Sequence, residues 1–295
     1  MSHRSHAQQL RHLIDQGRLI RMPCAYDGLS ARVAQSVGFP AVAFSGNAVS
    51  ASLLGLPDIG ALTLTENVAH AGRIARNLDI PMVCDADTGY GGLMNVMRTV
   101  REFEAAGVAG IHIEDQVTPK RCGHLSDKAL VSKAEMVGKL KAALDARQSA
   151  EMLIVARTDA IAVEGFDKAL DRAEAYVAAG ADMLFVEAPV NREQMAEITS
   201  RFAARVPLLA NMVEGGKTPI LPAAELRALG FRLVIFPGGT VRAVAFAMRN
   251  YFASLHEHGT TDPYRGRMLD FSGLNKLLGT EEFRARGRRY AEDAS

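Results

Sequence analysis

Eight short apolar runs, separated by stretches of helical length, constrain this chain more than any other feature. In order they read "LIRMPCAYD", "AVAFSG", "IPMVCDAD", "GIHIED", "MLIVARTD", "MLFVEAP", "VPLLANMV" and "RLVIFPGG". Short apolar runs alternating with amphipathic periodicity are the signature of βα units. The intervening segments end on Gly107, Gly180 and Gly230, as helices do where the chain must turn left-handed. Ser132, with Glu135 three residues later, predicts a capping box at the start of another helix. Eight units predict an α/β fold, a (β/α)8 TIM barrel. The alternative is a doubly wound open sheet, but the G-x-G-x-x-G turn that usually opens one is missing. One catalytic domain is expected over residues 1–265, including an N-terminal helix. Residues 266–295 then form a C-terminal helical extension. Its Leu274, Leu277, Leu278 and Phe283 need covering, which a partner subunit would supply.

Composition narrows the function. The formal net charge of +1 gives no bulk attraction to nucleic acid or to a membrane surface. No apolar run approaches the roughly 18–20 residues of a spanning helix. The start, "MSHRSHAQQLRHLIDQGRLI", is polar and lacks a signal-peptide core. Three cysteines make no disulfide framework, so a cytoplasmic location is expected. Cys24 and Cys84 lie in apolar runs and read as small buried hydrophobes.

In an α/β barrel, chemistry gathers at the C-terminal ends of the strands. Here those ends carry Asp27, Ser45, Asp85 with Asp87, Glu114 with Asp115, Arg157 with Asp159, Glu187 and Asn211. Acids converging on one rim repel each other and resist ionising together. A divalent cation relieves that repulsion, and an all-carboxylate donor set suits Mg²⁺, or Mn²⁺, better than Zn²⁺. Asp85 and Asp87, two apart on a strand, point to one face. With Glu114 they are the leading metal candidates. Asp58, in "LGLPDIG", read alone is better explained by a cap or a surface ion pair. Arg157 can fork onto a carboxylate, with Glu187 either orienting it or simply pairing with it. A cation, an arginine and neutral donors such as Ser45 and Asn211 suit a small di- or tricarboxylate or a phosphonate.

The connection over residues 115–131 is far longer than the usual 2–6 residues of a βα loop, about what a lid requires. It holds Cys122 among Lys120, Arg121 and His124, cationic neighbours that favour a thiolate. Gly123 lets the backbone turn between cysteine and histidine. Two metal ligands without a third make a poor zinc site. The alternatives are a proton-transfer role and a passive surface cysteine, and the loop's length and charge favour the first.

The segments "SGNAVSASLLGLPDIG", "DADTGYGG", "IEDQVTPKRCGH", "VARTDA", "FVEAP" and "NMVEGGKTP" together resemble the isocitrate lyase/phosphoenolpyruvate mutase superfamily. The branch most like this chain is that of 2-methylisocitrate and 2,3-dimethylmalate lyases, including petal-death-like proteins. The resemblance implies a barrel whose C-terminal helices are swapped between subunits of a homodimer or homotetramer. It implies Mg²⁺ held mainly by Asp85, with Asp58, Asp87 and Glu114 acting largely through water. It implies substrate binding by Ser45, Gly46, Asn47, Gly123, Arg157, Glu187 and Asn211. Cys122 becomes the acid/base of the lid, with Arg121 and His124 tuning it and meeting a carboxylate. Some positions depart from the family pattern. Asn47 and Ala48 stand where methylisocitrate lyases have glycines, Ala43 stands where they have tyrosine, and Gly238 and Gly239 leave the last strand end without bulk. These departures point to room for a longer alkyl group.

The expected reaction is Mg²⁺-dependent aldol-type cleavage of a 2-methylisocitrate- or 2-alkylmalate-like substrate. The products are pyruvate, or glyoxylate, and a second carboxylic acid. With Ala43 replacing the tyrosine, the base for the substrate hydroxyl is either Glu114 or a water on the metal. Three other readings compete. A phosphonomutase of the carboxyphosphonoenolpyruvate type is disfavoured because phosphoenolpyruvate mutases carry asparagine where this loop carries Cys122. An oxaloacetate-acting enzyme is disfavoured by the complete K-R-C-G-H loop. A non-catalytic barrel leaves the whole rim set unexplained.

Overall fold

A computed structural model describes residues 4–123 and 127–292. His124 therefore lies outside the described residues. The chain divides into two compact units, Met1–Val241 and Arg242–Ser295.

The first unit holds the eight strands, all parallel and closed in chain order into a barrel. They are β1 (Ile20–Ala25), β2 (Val42–Phe44), β3 (Met82–Asp85), β4 (Gly110–Glu114), β5 (Leu153–Thr158), β6 (Met183–Val186), β7 (Leu208–Asn211) and β8 (Leu233–Phe236). The eight apolar runs of the sequence are these strands. Their two apolar faces explain why the runs read as continuous rather than alternating. One face packs on the helices. The other fills the barrel with Ile20, Met22, Ala43, Val83, Leu153, Val155, Met183, Phe185, Leu209, Leu233 and Ile235. The N-terminal helix His6–Asp15 plugs this interior with Leu10, which is fully buried. Ser5 and Gln8 form its capping box.

Gly107, Gly180 and Gly230 have φ of 87°, 97° and 112°, the left-handed turn a helix end requires. The Ser132 cap is simpler than expected: its hydroxyl accepts from the Glu135 backbone N–H at 3.1 Å, without the reciprocal bond of a capping box. Reciprocal boxes occur instead at Asp27/Ser30 and Thr63/Glu66. No helix among the described residues is long and apolar enough to cross a membrane.

The second unit contains the rest of the helix Gly239–His258, a short 3₁₀ segment Asp262–Arg267, and the helices Phe271–Leu278 and Thr280–Glu292. Phe246, Phe252, Phe271 and Phe283 are each more than half exposed, as is Leu269.

Candidate active site

Strand parity sorts the polar residues at the barrel mouth. Glu114 ends β4 facing the interior, so Asp115, one residue on, faces the opposite way. There Asp115 accepts hydrogen bonds from Thr158 Oγ1 (2.8 Å), Tyr176 OH (2.7 Å) and the Asp159 backbone N–H (2.9 Å). It is a buried anchor between strand and helix. Asp27 caps the helix Gly28–Ser36, accepting from the Ser30 backbone N–H at 2.7 Å. Two of the rim acids thus have structural work.

The remaining acids converge. Asp58, Asp85, Asp87, Glu114, Asp159 and Glu187 are all buried. Gly46 opens a short helix after β2, and a Cβ placed on it would lie 2.9 Å from Asp85 Oδ2. Only glycine lets the backbone come this close to the carboxylate. Ser45, just before it, is buried, and Asn47, just after, is half-buried.

Lys120 is the residue that changes the picture most. On sequence it reads as a cationic flank of the thiol. In the structure its side chain is 4% exposed, and Nζ sits 2.7 Å from Asp58 Oδ1 and 3.0 Å from Asp87 Oδ1. Part of the acidic charge is therefore balanced by an ammonium brought in on the lid segment. Arg121, its neighbour, goes the other way. Its side chain is 49% exposed and lies 3.8 Å from Asp127 Oδ2, so it is not brought into the mouth.

Arg157, at the end of β5, joins three acids. Nε and Nη2 fork onto Asp159 at 2.9 and 3.2 Å, Nη1 meets Glu114 Oε2 at 3.0 Å, and Nη2 lies 3.4 Å from Glu187 Oε2. Its guanidinium also stacks over Phe185, 5.0 Å from the ring centre. The expected pair with Glu187 is present, but Asp159 is the closer partner. Asn211 Nδ2 donates to Glu187 Oε2 at 2.9 Å, and the Ala188 backbone N–H donates to Oε1 at 2.9 Å.

His112 lies within an apolar run and carries no motif of its own in the sequence. It pairs in register with Asp85 across β3 and β4, and its Nδ1 is 3.5 Å from Asp85 Oδ1. Its alternation with Glu114 on β4 was the available signal. Burial lowers the His112 pKa, although the Asp85 charge opposes this. Burial likewise opposes ionisation of Asp85, but nearby positive groups win and hold its carboxyl below the usual range. His112, Lys120 and Arg157 all contribute, and because burial drives His112 toward neutrality the two permanent cations carry the effect. Burial pushes Asp87 up to about 6 against the pull of Lys120, and raises Glu114 well above the ordinary carboxylate range.

Does this set fit a divalent cation? Among the described residues, no three His, Cys, Asp or Glu side chains are arranged to hold one ion between them. A closed cage of direct protein ligands is therefore absent there. Mg²⁺ rarely uses one; it keeps several waters and takes one or two carboxylates. Among the described residues, Glu114 Oε1 is buried without a hydrogen-bond partner, Oε2 meets only the Arg157 guanidinium, and the nearby Asp85 carboxyl is held below the usual range. The donors are all hard oxygens. A hydrated Mg²⁺ with Asp85 as its principal protein ligand fits these residues.

The lid segment runs back over the mouth. Its base is a short hairpin, with the Val117 N–H donating to Ala129 O at 2.8 Å and the Val131 N–H to Asp115 O at 2.9 Å. Gln116 clasps Arg121 through both its backbone groups, at 2.8 and 3.0 Å. The Cys122 N–H donates to Asp58 O at 3.3 Å, so the segment carrying Asp58 also seats the cysteine. A Cβ on Gly123 would lie 2.6 Å from Arg157 Nη2 and 2.8 Å from Glu187 Cγ. The backbone beside the cysteine therefore rests directly on the arginine. Cys122 itself is half-buried, whereas Cys24 and Cys84 are buried, and burial pushes the Cys24 thiol up to about 12 despite hydrogen bonding with Ser45.

Comparison with known proteins gives a consistent picture. The phosphoenolpyruvate phosphomutase family pattern matches residues 10–256. A 2,3-dimethylmalate lyase from Eubacterium barkeri is 45% identical over 97% of this chain and 98% of its own. A 2-methylisocitrate lyase from Aeropyrum pernix is 43% identical over 97% of this chain and 91% of its own. Among solved structures, an oxaloacetate acetylhydrolase bound to 3,3-difluorooxalacetate superposes with a TM-score of 0.92 at 35% identity, covering 97% of each chain. A 2,3-dimethylmalate lyase, described as a PEP mutase/isocitrate lyase superfamily member, gives 0.91 at 37% identity, covering 97% and 96%.

Proposed function

Because this chain belongs to the phosphoenolpyruvate phosphomutase family, within the PEP mutase/isocitrate lyase superfamily, we propose that it cleaves a 2-alkylmalate- or 2-methylisocitrate-like acid to pyruvate and a second carboxylic acid. Its near relatives are carbon–carbon lyases, and the chain is an oxo-acid lyase of that kind. The observation that supports the reading is the seat of the cysteine loop: Gly123, next to Cys122, packs on Arg157 and Glu187, and the Cys122 N–H donates to Asp58 O.

A divalent cation at Asp85, backed by Asp58, Asp87 and Glu114, would supply Lewis acidity to the hydroxyl and carboxylate oxygens of the substrate. The chain's own residues do the rest. Arg157, held flat by Asp159, Glu114 and Glu187, meets substrate carboxylate charge. Asn211, Ser45 and the backbone at Gly46 orient the hydroxy-acid end. Glu114 takes the hydroxyl proton in its ionised form, which the Arg157 guanidinium 3.0 Å from Oε2 favours against burial. The carbon–carbon bond then breaks. Its electron pair moves into the second carboxylic acid as an enediolate, while the hydroxyl carbon becomes the keto carbon of pyruvate. The thiol of Cys122 gives its proton to the carbanionic carbon and is left as thiolate; after the products leave, Glu114 releases its proton to solvent and Cys122 takes one from solvent, which restores both groups. Ala43 packs in the barrel interior one residue before the end of β2.

The test is a panel of 2,3-dimethylmalate, other 2-alkylmalates, 2-methylisocitrate, isocitrate and oxaloacetate, with Mg²⁺ and with chelator. Pyruvate should form from an alkylmalate or methylisocitrate, and only with metal. The structural likeness to an oxaloacetate acetylhydrolase supplies the second reading, under which oxaloacetate alone turns over, giving oxalate and acetate.

The same reading extends to assembly. Phe246, Phe252, Phe271 and Phe283 are an exposed apolar load that a second copy would cover. Light scattering should give a dimer or tetramer mass, and Phe271→Asp with Phe283→Asp should lower it toward the monomer. A wild-type monomer at micromolar concentration refutes this assembly.

A further inference from the structure

Lys128 is a buried cation that the reaction above does not use. Its side chain is 1% exposed. Nζ donates to the Gly123 carbonyl on one side and to Asp159 Oδ1, at 2.9 Å, on the other. Asp159 is itself fully buried and forks Arg157. The two bonds of Lys128 therefore join the backbone next to Cys122 to the acid that fixes the arginine. The chain turns sharply to make this contact: Asp127, just before Lys128, has φ of 58°, a left-handed conformation that aspartate accepts more readily than most residues.

We propose that Lys128 is a positioning residue, a latch that fixes the Cys122 segment on the Asp159–Arg157 pair. Three bodies meet at its ammonium: the loop, the barrel acid and, through that acid, the substrate-binding guanidinium. The carbonyls on both sides of the cysteine are held, that of Arg121 by Gln116 and that of Gly123 by Lys128, and only the second bond reaches on to the acid that fixes the arginine. The inference rests on the proton-transfer reading of Cys122 for its catalytic consequence, but not for its structural one.

The structural consequence can be read directly. Cys24 and Cys84 are buried, so iodoacetamide reports on Cys122. In Lys128→Met, alkylation should run about tenfold faster, as expected when a loop opens more often. The value of kcat should fall by roughly 10²-fold, the usual effect of a small misplacement of reacting groups, with a much smaller change in KM. Lys128→Arg should recover most of the slow alkylation. Should Lys128→Met fail to fold, Lys128→Gln keeps a donor for Gly123 and drops the charge, with the same expectations in lesser degree. Wild-type alkylation rates in a folded, charge-less variant overturn the latch. Faster alkylation with unchanged kcat supports the latch and overturns the role of Cys122 instead.

Discussion

Replacing Cys122 with Ser should lower kcat for pyruvate release by about 10³-fold, within the range of a lost general acid or base. Serine keeps the size and the backbone bond to Asp58 O. It loses the acidity, because a hydroxyl is far less willing than a thiol to give a proton to carbon. Binding should change little. Pyruvate and oxalate, if they bind as proposed at Arg157 and the Asp85 side of the mouth, should inhibit the variant and the wild type equally. Initial rates with a coupled pyruvate assay, together with an oxalate inhibition constant, check both halves. Unchanged turnover would remove Cys122 from the mechanism.

An effect of similar size is expected at Asp85. Asp85→Asn preserves shape and the bond from the Asp87 N–H, 3.0 Å away. It removes a carboxylate that its surroundings hold below the usual pKa range. The neighbours cannot take over. Asp58 and Asp87 are engaged by Lys120, and burial pushes Asp87 and Glu114 toward their neutral forms. Turnover should drop by about 10³-fold, several kcal/mol of lost transition-state stabilisation. Mn²⁺ titration followed by electron paramagnetic resonance should show tight binding to the wild type and none to Asp85→Asn. Equal Mn²⁺ affinity in the two proteins would move the metal elsewhere.

The barrel was legible because its information is local. Each strand is a short apolar run, several helices end on a glycine such as Gly107, Gly180 and Gly230, and eight such units close in only a few ways. The inward acids were legible for a similar reason, since period two from Asp85 to Asp87 and the end of β4 at Glu114 place them without any tertiary knowledge. What the sequence hid is the pairing across distance. Lys120 and Arg121 are adjacent and equally basic, yet one is buried between Asp58 and Asp87 while the other faces Asp127 and solvent. Nothing in a polar loop says which way each side chain turns. Asp159 lies two residues from Arg157, so its fork onto the guanidinium is local, but its bond to Lys128 joins residues brought together only by the loop. Asp27 and Asp115 were counted with the rim acids. One is a helix cap and the other points behind the strands, a distinction that for Asp115 rests on a single step of strand parity.

The most direct test of the account is to run the reaction in D₂O with 2,3-dimethylmalate and Mg²⁺, and to read the products by NMR and mass spectrometry. The account predicts pyruvate together with a second acid carrying one deuterium, on one face only, at the carbon released by cleavage. It also predicts that Cys122→Ser loses this product while still binding oxalate. No pyruvate from any alkylmalate or methylisocitrate, or deuterium spread over both faces at the wild-type rate in Cys122→Ser, would contradict it.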